Sequence, residues 1–295
     1  MPYLKWSEKT ITDFSDKSLS SLYNEGYLFG RTGRGEMYQT RSLRIDLSKF
    51  ELSSENRRIL RKTENVVVEK QSLPDPNYHW SIGKLGKDFY TKKFGDGTFS
   101  ANKIKELMTD KEKSNFNTLF TYSTVIPSDS TTVILNDLPA VIPSEFAAAN
   151  DHTIVIPNPV RTGEESLSEL SFAREFASER TAVREEYSLN NKTGIPPVVG
   201  ITNKKIGYCI ALETNEFIHY CYPFYQLENA SLELPTNLGL GMMLKAIVWT
   251  KEHGKKYIYL GSFSRPTDAY KLKFEGLEWW DGKEWNTNTE TLKNV

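Results

Sequence analysis

The sequence contains little of what builds a metal centre or a disulfide framework. Its 295 residues include only two cysteines, Cys209 and Cys221, and four histidines. The cysteines are too far apart for a CxxC pair and lie in apolar, β-like segments, which favours buried, reduced thiols. His219 and His253 have no ligand partner at metal-site spacing, so structural or solvent-facing roles are expected. We therefore expect no metal site.

Long apolar runs and an excess of charge are also missing. The N-terminus lacks the apolar stretch of a signal peptide, and no run approaches the roughly 18 residues of a membrane span. A soluble, cytoplasmic protein without a membrane partner is expected. The net charge of −1 excludes no partner, because a local basic face can sit on a neutral body. The 15 Phe, 15 Tyr and 6 Trp supply ample material for a core.

The length suits two domains, or one domain with a large insertion. Residues 1–72 predict a helix ending near Gly26, a strand, a glycine-rich turn, an alternating strand in MYQTRSLRIDLSKF, a serine-capped basic helical turn in NRRILRKT, and a strand in VVVEK. Residues 76–120 predict two helices separated by a glycine break. Residues 124–200 differ in composition, with three VIP triplets and an acidic helical segment, and we interpret them as an insertion.

The pattern becomes regular again from Lys204. Two apolar strands joined at Asn215 predict a hairpin, and Asn237 is expected to cap a helix that ends at Gly254. KYIYLGS is typical of a parallel strand, and a last strand or hairpin follows in YKLKFEGLEWWDGKEW. A hairpin, a glycine-entered helix and a strand form the core of the acyltransferase fold that uses acyl-CoA donors. We therefore predict an α+β protein: a small β-rich domain at 1–72, and a GNAT-like mixed α/β domain at 73–295 that carries the insertion.

Two blocks of motifs narrow this prediction. In the C-terminal half the landmarks are Pro223-Phe224-Tyr225, Asn237-Leu238-Gly239, Tyr259-Leu260-Gly261, Asp268-Ala269-Tyr270-Lys271 and Asp281-Gly282-Lys283. In the N-terminal half they are Gly30-Arg31-Thr32-Gly33, Tyr38, Arg44, Ser53-Ser54, Arg57-Arg58 and Arg61. In their order and spacing these blocks resemble the N-end rule aminoacyl-tRNA–protein transferases, the arginyl- and leucyltransferases. The family's N-terminal cysteine cluster has no counterpart here, and Thr267 and Asp268 replace a lysine and a methionine of its KMxYK motif.

The resemblance implies transfer of an amino acid from charged tRNA to the N-terminal α-amine of an acceptor protein, as in the N-degron route of protein degradation. Such a transfer needs a neutral amine, donors for the oxyanion and a proton for the leaving ribose oxygen. We expect the catalytic residues to be Tyr270, Lys271 and Asp268. The residues expected to bind substrate lie in or beside the motifs: Phe224, Tyr225, Leu238, Gly239, Gly241, Arg265, Arg31, Arg57 and Arg58. Aminoacyl-tRNA is then a co-substrate, and no bound cofactor is expected of a protein that is expected to be monomeric.

The basic block at Arg31–Lys62 contains nine Lys or Arg against four acidic residues. Such a run is either a solvated face or a phosphate-binding surface, and the resemblance favours nucleic acid. Two further functions stay open. The turn at Gly239 and Gly241 can be a packing feature or can hold the pyrophosphate of acetyl-CoA in an N-acetyltransferase. The protein can also be a non-catalytic homologue that binds tRNA or a degron.

Overall fold

The structure, a computed structural model, describes residues 4–127, 201–228 and 234–293. The predicted insertion lies almost wholly outside these ranges. The described helices are α1 (Asp16–Asn24), α2 (Ser54–Lys62), α3 (Trp80–Phe94), α4 (Ala101–Thr109), α5 (Leu238–Glu252) and α6 (Glu290–Lys293), together with a 3-10 helix at Pro266–Lys273. The described strands are β1 (Ser7–Thr10), β2 (Tyr27–Phe29), β3 (Glu36–Gln39), β4 (Ser42–Asp46), β5 (Val66–Ser72), β6 (Thr118–Pro127), β7 (Ile201–Glu213), β8 (Phe217–Tyr225), β9 (Tyr257–Ser262), β10 (Leu277–Trp280) and β11 (Trp285–Asn286).

The predicted α+β class is confirmed by one large mixed sheet with helices on both faces. Its strand order is β11-β10-β4-β9-β8-β7-β6-β5, and a small antiparallel sheet has the order β1-β3-β2. The hairpin β7–β8, the helix α5 and the strand β9, parallel to β8, form the predicted acyltransferase-like unit. The predicted C-terminal hairpin is also present, since β10 pairs with β11.

The described residues before 126 and after 202 belong to one compact unit. Strands from both predicted domains share the large sheet, because β4 lies between β9 and β10. The boundary at residue 72 stays a prediction about independent folding. No helix among the described residues is long and apolar enough to cross a bilayer.

Local sequence explains some helix ends and not others. Ser53 accepts a hydrogen bond from the Asn56 amide, and the Asn56 side chain accepts one from the Ser53 amide, so the predicted serine cap of α2 is confirmed as a capping box. Asn237 occupies the predicted N-cap position of α5, but its side chain does not cap the helix. Its φ of 64° is left-handed, and its side chain makes no cap hydrogen bond, whereas side-chain capping uses an extended residue. The alternating run MYQTRSLRIDLSKF is two strands, β3 and β4, which belong to different sheets.

Each face of the large sheet has its own core. Ile59 of α2 and Met242 of α5 belong to the core on one face. Tyr23 of α1, Phe89 of α3 and Ile104 of α4 belong to the core on the other face. The helices are therefore sorted between two layers, with α2 and α5 on one side of the sheet and α1, α3 and α4 on the opposite side.

Candidate functional site

The parallel strands β8 and β9 separate from each other part-way along their length. Their pairing covers only Phe217–His219 against Tyr257–Tyr259. Beyond this point β8 continues to Tyr225 along β7, while β9 continues to Ser262 along β4. We call the gap between the two diverging strands the fork. In open sheets, ligands bind outside the carboxyl ends of parallel strands where neighbouring connections diverge, which makes the fork the natural candidate site.

The side chain of Lys271 enters the fork from the 3-10 helix and is 9% exposed. Its Nζ donates a hydrogen bond to the Ser262 carbonyl oxygen at 3.2 Å and lies 3.7 Å from Oδ1 of Asp268. Across the fork, Lys271 also interacts electrostatically with the Cys221 thiol on β8. Burial lowers the pKa of Lys271 below its ordinary value, although the nearby Asp268 carboxylate opposes that shift. A lysine held in this way keeps a larger neutral fraction than a solvated one.

Asp268 fixes the loop that carries Lys271. Its Oδ2 accepts hydrogen bonds from the backbone amides of Ser264 and Arg265, each at 3.0 Å. The carboxylate therefore has two backbone donors in addition to the ammonium group. This geometry explains why an aspartate stands at this position, and it assigns Asp268 the task of positioning Lys271 beside the fork.

Tyr270 and Tyr225 lie close enough for their hydroxyls to influence each other. Tyr270 is 39% exposed, but its hydroxyl end is enclosed, and burial followed by the Asp268 charge raises its pKa. Burial also raises the pKa of Tyr225, whose ring centroid is 4.7 Å from that of Phe89. Both phenols therefore stay protonated at neutral pH, where they can donate hydrogen bonds.

The two glycines predicted to form a turn ahead of the helix lie inside the first turn of α5, which is tightly packed. A Cβ placed on Gly239 would lie 2.5 Å from the Tyr225 hydroxyl, and one placed on Gly241 would lie 2.5 Å from Cγ2 of Thr63. Glycine is therefore required at both positions by a neighbouring side chain. Leu238, the first residue of α5, is buried in the core. Substrate binding at Leu238, Gly239 and Gly241 stays a prediction.

A chain of aromatic rings flanked by two arginines lies beside the fork. We call it the aromatic–arginine cluster; its members are Arg31, Phe99, Tyr90, Phe94 and Arg265. Each successive pair along that order is in contact, at 4.9, 4.9, 5.7 and 5.0 Å between ring centroids or from a guanidinium carbon to a ring centroid. Among the described residues, neither guanidinium has a carboxylate ion-pair partner.

The cluster is electrostatically connected to the fork. The positive charge of Arg31 favours a lower pKa of the Cys221 thiol, and that of Arg265 favours a lower pKa of Lys271. The dominant influence on Cys221 is burial, which raises its pKa to about 12, so the thiol is protonated. A protonated, partly buried thiol supplies no nucleophile.

The predicted site residues divide between the two faces of the sheet. Five of the predicted residues lie around the fork: Tyr225, Arg265, Asp268, Tyr270 and Lys271. Arg31 lies at the far end of the aromatic–arginine cluster, which extends from the fork. Phe224 also lies on the cluster side but is fully buried in the core.

The arginines of α2 lie elsewhere, because α2 packs on the opposite face of the sheet. Arg58 is engaged with Glu55 through two hydrogen bonds of 2.7 and 2.6 Å, and Arg57 donates to the Leu52 carbonyl oxygen at 2.6 Å. The structure does not bring Arg57 and Arg58 to the fork, and their role in nucleic-acid binding stays a prediction.

The sequence interpretation missed Tyr90, Phe94 and Phe99, which complete the cluster. A signal was available for two of them: Tyr90 and Phe94 are four residues apart in α3, so they share a helix side, and Phe94 directly precedes the helix-ending Gly95. The contact of Phe99 with Arg31 depends on tertiary structure and has no local signal.

Neither His219 nor His253 is placed to act in the fork. His219 is buried, its Nδ1 lies 3.0 Å from the Tyr23 hydroxyl, and burial lowers its pKa to about 3. His253 is exposed and stacks on Trp249. In the part of the chain that the structure describes, no group of three or more His, Cys, Asp or Glu side chains could hold a metal ion.

The fold and the fork together define a mixed α+β protein with a buried lysine between diverging parallel strands. No protein-family model and no curated protein matches the sequence. Among solved structures, the chain is similar to FemX, at 12% identity and a TM-score of 0.39 over 84% of this chain and 60% of that one. It is also similar to L-PGS from Bacillus licheniformis, at 10% identity and a TM-score of 0.38 over 92% of this chain and 65% of that one. The chain thus spans less than two thirds of either protein, and similarity at this level carries no functional argument.

Proposed function

We propose that the protein is an aminoacyltransferase that moves an amino acid from charged tRNA to the N-terminal α-amine of an acceptor protein. The observation that carries this proposal is the buried Lys271 amine in the fork, with a lowered pKa and two arginines nearby. The order of the motifs around it, from Tyr225 to Lys271, supports the choice of donor.

The reaction requires little beyond positioning and one proton relay. The acceptor nitrogen attacks the ester carbonyl carbon, a C–N bond forms, the ester C–O bond breaks, and one proton passes from the nitrogen to the ribose oxygen. An α-amine has a pKa near ~8, so part of it is already neutral. A neutral Lys271 accepts the proton and returns it to the leaving oxygen, while holding both reactants in register contributes most of the acceleration.

The remaining polar groups fit the other needs of the reaction. The protonated hydroxyls of Tyr225 and Tyr270 are suited to donate hydrogen bonds to the developing oxyanion. The guanidinium groups of Arg31 and Arg265 suit the phosphates at the end of a tRNA. On this proposal aminoacyl-tRNA is a co-substrate, the enzyme acts as a monomer in the cytoplasm, and its products enter N-degron-dependent protein degradation.

No observation specifically favours the two rival functions. An acetyl-CoA-dependent enzyme would need free space over the glycine turn, but the Tyr225 hydroxyl occupies the position nearest Gly239. A non-catalytic binder would not need a buried amine of lowered pKa. Both rivals serve as alternative outcomes in the test.

The test is a transfer assay on purified full-length protein. Total charged tRNA and peptides beginning with Asp, Glu or oxidised Cys are incubated with the wild type, and products are identified by mass spectrometry. We expect a peptide extended by one residue, and loss of that product in Lys271→Met. The matched control is Lys283→Met, which removes an exposed lysine from the turn between β10 and β11.

Three results would count against the proposal. Acetylated peptide formed from acetyl-CoA would support the rival acetyltransferase. RNA binding without product from any charged donor would support the non-catalytic homologue. Equal loss of product in the two lysine variants would remove Lys271 from the chemistry.

A further inference from the structure

A line of exposed aromatic and basic side chains runs along the outer side of α3. Trp80 is 66% exposed, Lys87 is exposed, and Phe94 is 46% exposed. These residues are seven positions apart, and seven residues of an α-helix return to the same side within ~20°. They therefore form one straight ridge, which extends over about 21 Å because each residue rises 1.5 Å.

One end of the ridge meets the candidate site. Phe94 belongs to the aromatic–arginine cluster, with its ring 5.7 Å from that of Tyr90 and beneath the Arg265 guanidinium at 5.0 Å. The ridge is therefore continuous with the surroundings of the fork, in which Lys271 lies.

The other end of the ridge borders an open groove of about 640 Å³ between α3 and α4. Its lining combines aromatic, amide and basic side chains, among them Tyr78, Trp80, Lys84, Lys87, Asn102 and Lys105. Lys84 is paired with Asp88. Lys87 and Lys105 have no ion-pair partner among the described residues, so two uncompensated positive charges face the groove.

Among the described residues, two exposed aromatic side chains lie on the ridge, Trp80 and Phe94, and a third, Tyr270, lies at the fork. Only four large hydrophobic side chains are exposed among the described residues, and three of them are Trp80, Phe94 and Tyr270. Exposed rings next to unpaired cations are the features with which proteins hold single-stranded nucleic acid, since bases stack on the rings and phosphates contact the cations. An acidic peptide would use the cations but would leave the flat rings without a stacking partner.

We propose that Trp80, Lys87 and Phe94, together with Lys105, form a binding surface for the single-stranded 3′ end of tRNA and the nucleotides that precede it. This inference rests on the proposed function and adds the path of the donor. The terminal nucleotide lies at the fork, the next bases pass Phe94 and Arg265, and the strand then follows α3 towards Trp80. Lys87 and Lys105 contact its phosphates.

The test measures binding of uncharged tRNA, so that it is independent of turnover. Fluorescence anisotropy at a series of salt concentrations gives the affinity and its salt slope for each variant. For Lys87→Gln/Lys105→Gln we expect the slope of log affinity against log salt to flatten by about 1.4 to 1.8, from ~0.7–0.9 for each lost phosphate contact. Trp80→Ala is expected to weaken binding roughly tenfold with little change in slope, and Trp80→Phe to retain most of the affinity.

The matched control is Lys17→Gln/Lys283→Gln, which removes the same charge from exposed positions of α1 and of the turn between β10 and β11, outside the groove and the basic block. It is expected to leave affinity and slope near those of the wild type. Equal weakening in the control and in the α3 variant would overturn the inference. So would competition by poly-glutamate as strong as that by tRNA, or Trp80→Ala binding like the wild type.

The two proposals fail in different ways. If the α3 variants lose tRNA affinity while the wild type transfers no amino acid, the surface stands and the proposed reaction falls. If the wild type transfers an amino acid and the α3 variants keep both their tRNA affinity and their KM for charged tRNA, the reaction stands and the surface is overturned.

Discussion

His219 should make the stability of this protein sensitive to mild acid. The residue lies at the last paired position of β8 before the fork and is 1% exposed. Its Nδ1 contacts the Tyr23 hydroxyl, and its Nε2 has no hydrogen-bond partner among the described residues. An imidazolium would bury a second N–H without an acceptor, close to the positive charge of Lys271. This arrangement explains why burial, with a smaller contribution from Lys271, lowers the pKa of His219 to about 3.

The sign and the size of the effect follow from proton linkage. The unfolded chain binds a proton at His219 below about pH 6.5, whereas the folded chain binds it only near about pH 3. Between these values the unfolded state holds more protons, so the free energy of unfolding falls as the pH falls. At about 1.4 kcal/mol for each pKa unit, the full effect approaches 5 kcal/mol, of which about 2 kcal/mol is lost between about pH 7 and about pH 5.

The assay is urea unfolding of the wild type and of His219→Asn across this pH range. Asparagine keeps an acceptor near the position of Nδ1 for Tyr23 and does not titrate. All other titrating groups are common to both proteins, so the difference between the two pH dependences isolates His219. We expect the wild type to lose about 2 kcal/mol more than the variant over the range. Parallel curves for the two proteins would refute the reasoning, because they would show that His219 binds protons equally in the folded and the unfolded state.

Three further predictions concern the site and the core. Lys271→Met should lower the rate of transfer by about 10²–10⁴-fold, with little change in urea stability. The rate should also rise less steeply with pH in this variant, because only the acceptor amine then has to lose a proton. A pH profile like that of the wild type would argue against a base at this position. Gly241→Ala should destabilise the fold by about 1–3 kcal/mol, because the added methyl group would collide with Thr63. In thermal unfolding, adding Thr63→Ala to this variant should recover part of the lost stability. If the losses of the two single variants simply add, Gly241 and Thr63 are not in contact. Arg44→Met should cost about 1–3 kcal/mol in urea unfolding because it leaves the buried Glu278 carboxylate with Lys49 as its remaining charged partner, whereas the double change of Arg44 and Glu278 to methionine should cost less; an equal or larger loss in the double variant would show that the Arg44–Glu278 pair itself stabilises the fold.

Elements with local signals were predictable from the sequence. The hairpin at Asn215 and the strand KYIYLGS are defined by apolar runs and turn residues within about 12 positions, and the structure confirms both. The prediction of α5 was correct in its extent and its N-cap residue, but the left-handed backbone of Asn237 and its missing side-chain hydrogen bond have no local signal in the sequence. Alternation in MYQTRSLRIDLSKF predicted extended structure correctly. It could not predict that β3 and β4 join different sheets, since both halves have the same period.

Residues of the candidate site could be singled out from the sequence, but their arrangement in space could not. Lys271, Tyr270 and Asp268 were singled out by their motif, and the structure brings all three to the fork. The fork itself depends on β8 following β7 while β9 follows β4, and no short segment of sequence encodes such a divergence. The basic run around Arg57 and Arg58 has the composition of a phosphate-binding surface. Its separation from the fork is a property of the fold, because a helix can pack on either face of a sheet.

The position of β4 has a consequence for how the chain reaches its native state. Ile45 pairs with Ile258 on one side and with Leu277 on the other, more than 200 residues later in the chain. During synthesis the early segment therefore waits for its partners until the final strands have emerged. Such distant pairings slow folding, because the chain must close very large loops before any contact rewards it. A nascent chain arrested before Tyr257 would present β4 with both edges unpaired, and we expect it to be a substrate for chaperones or proteases.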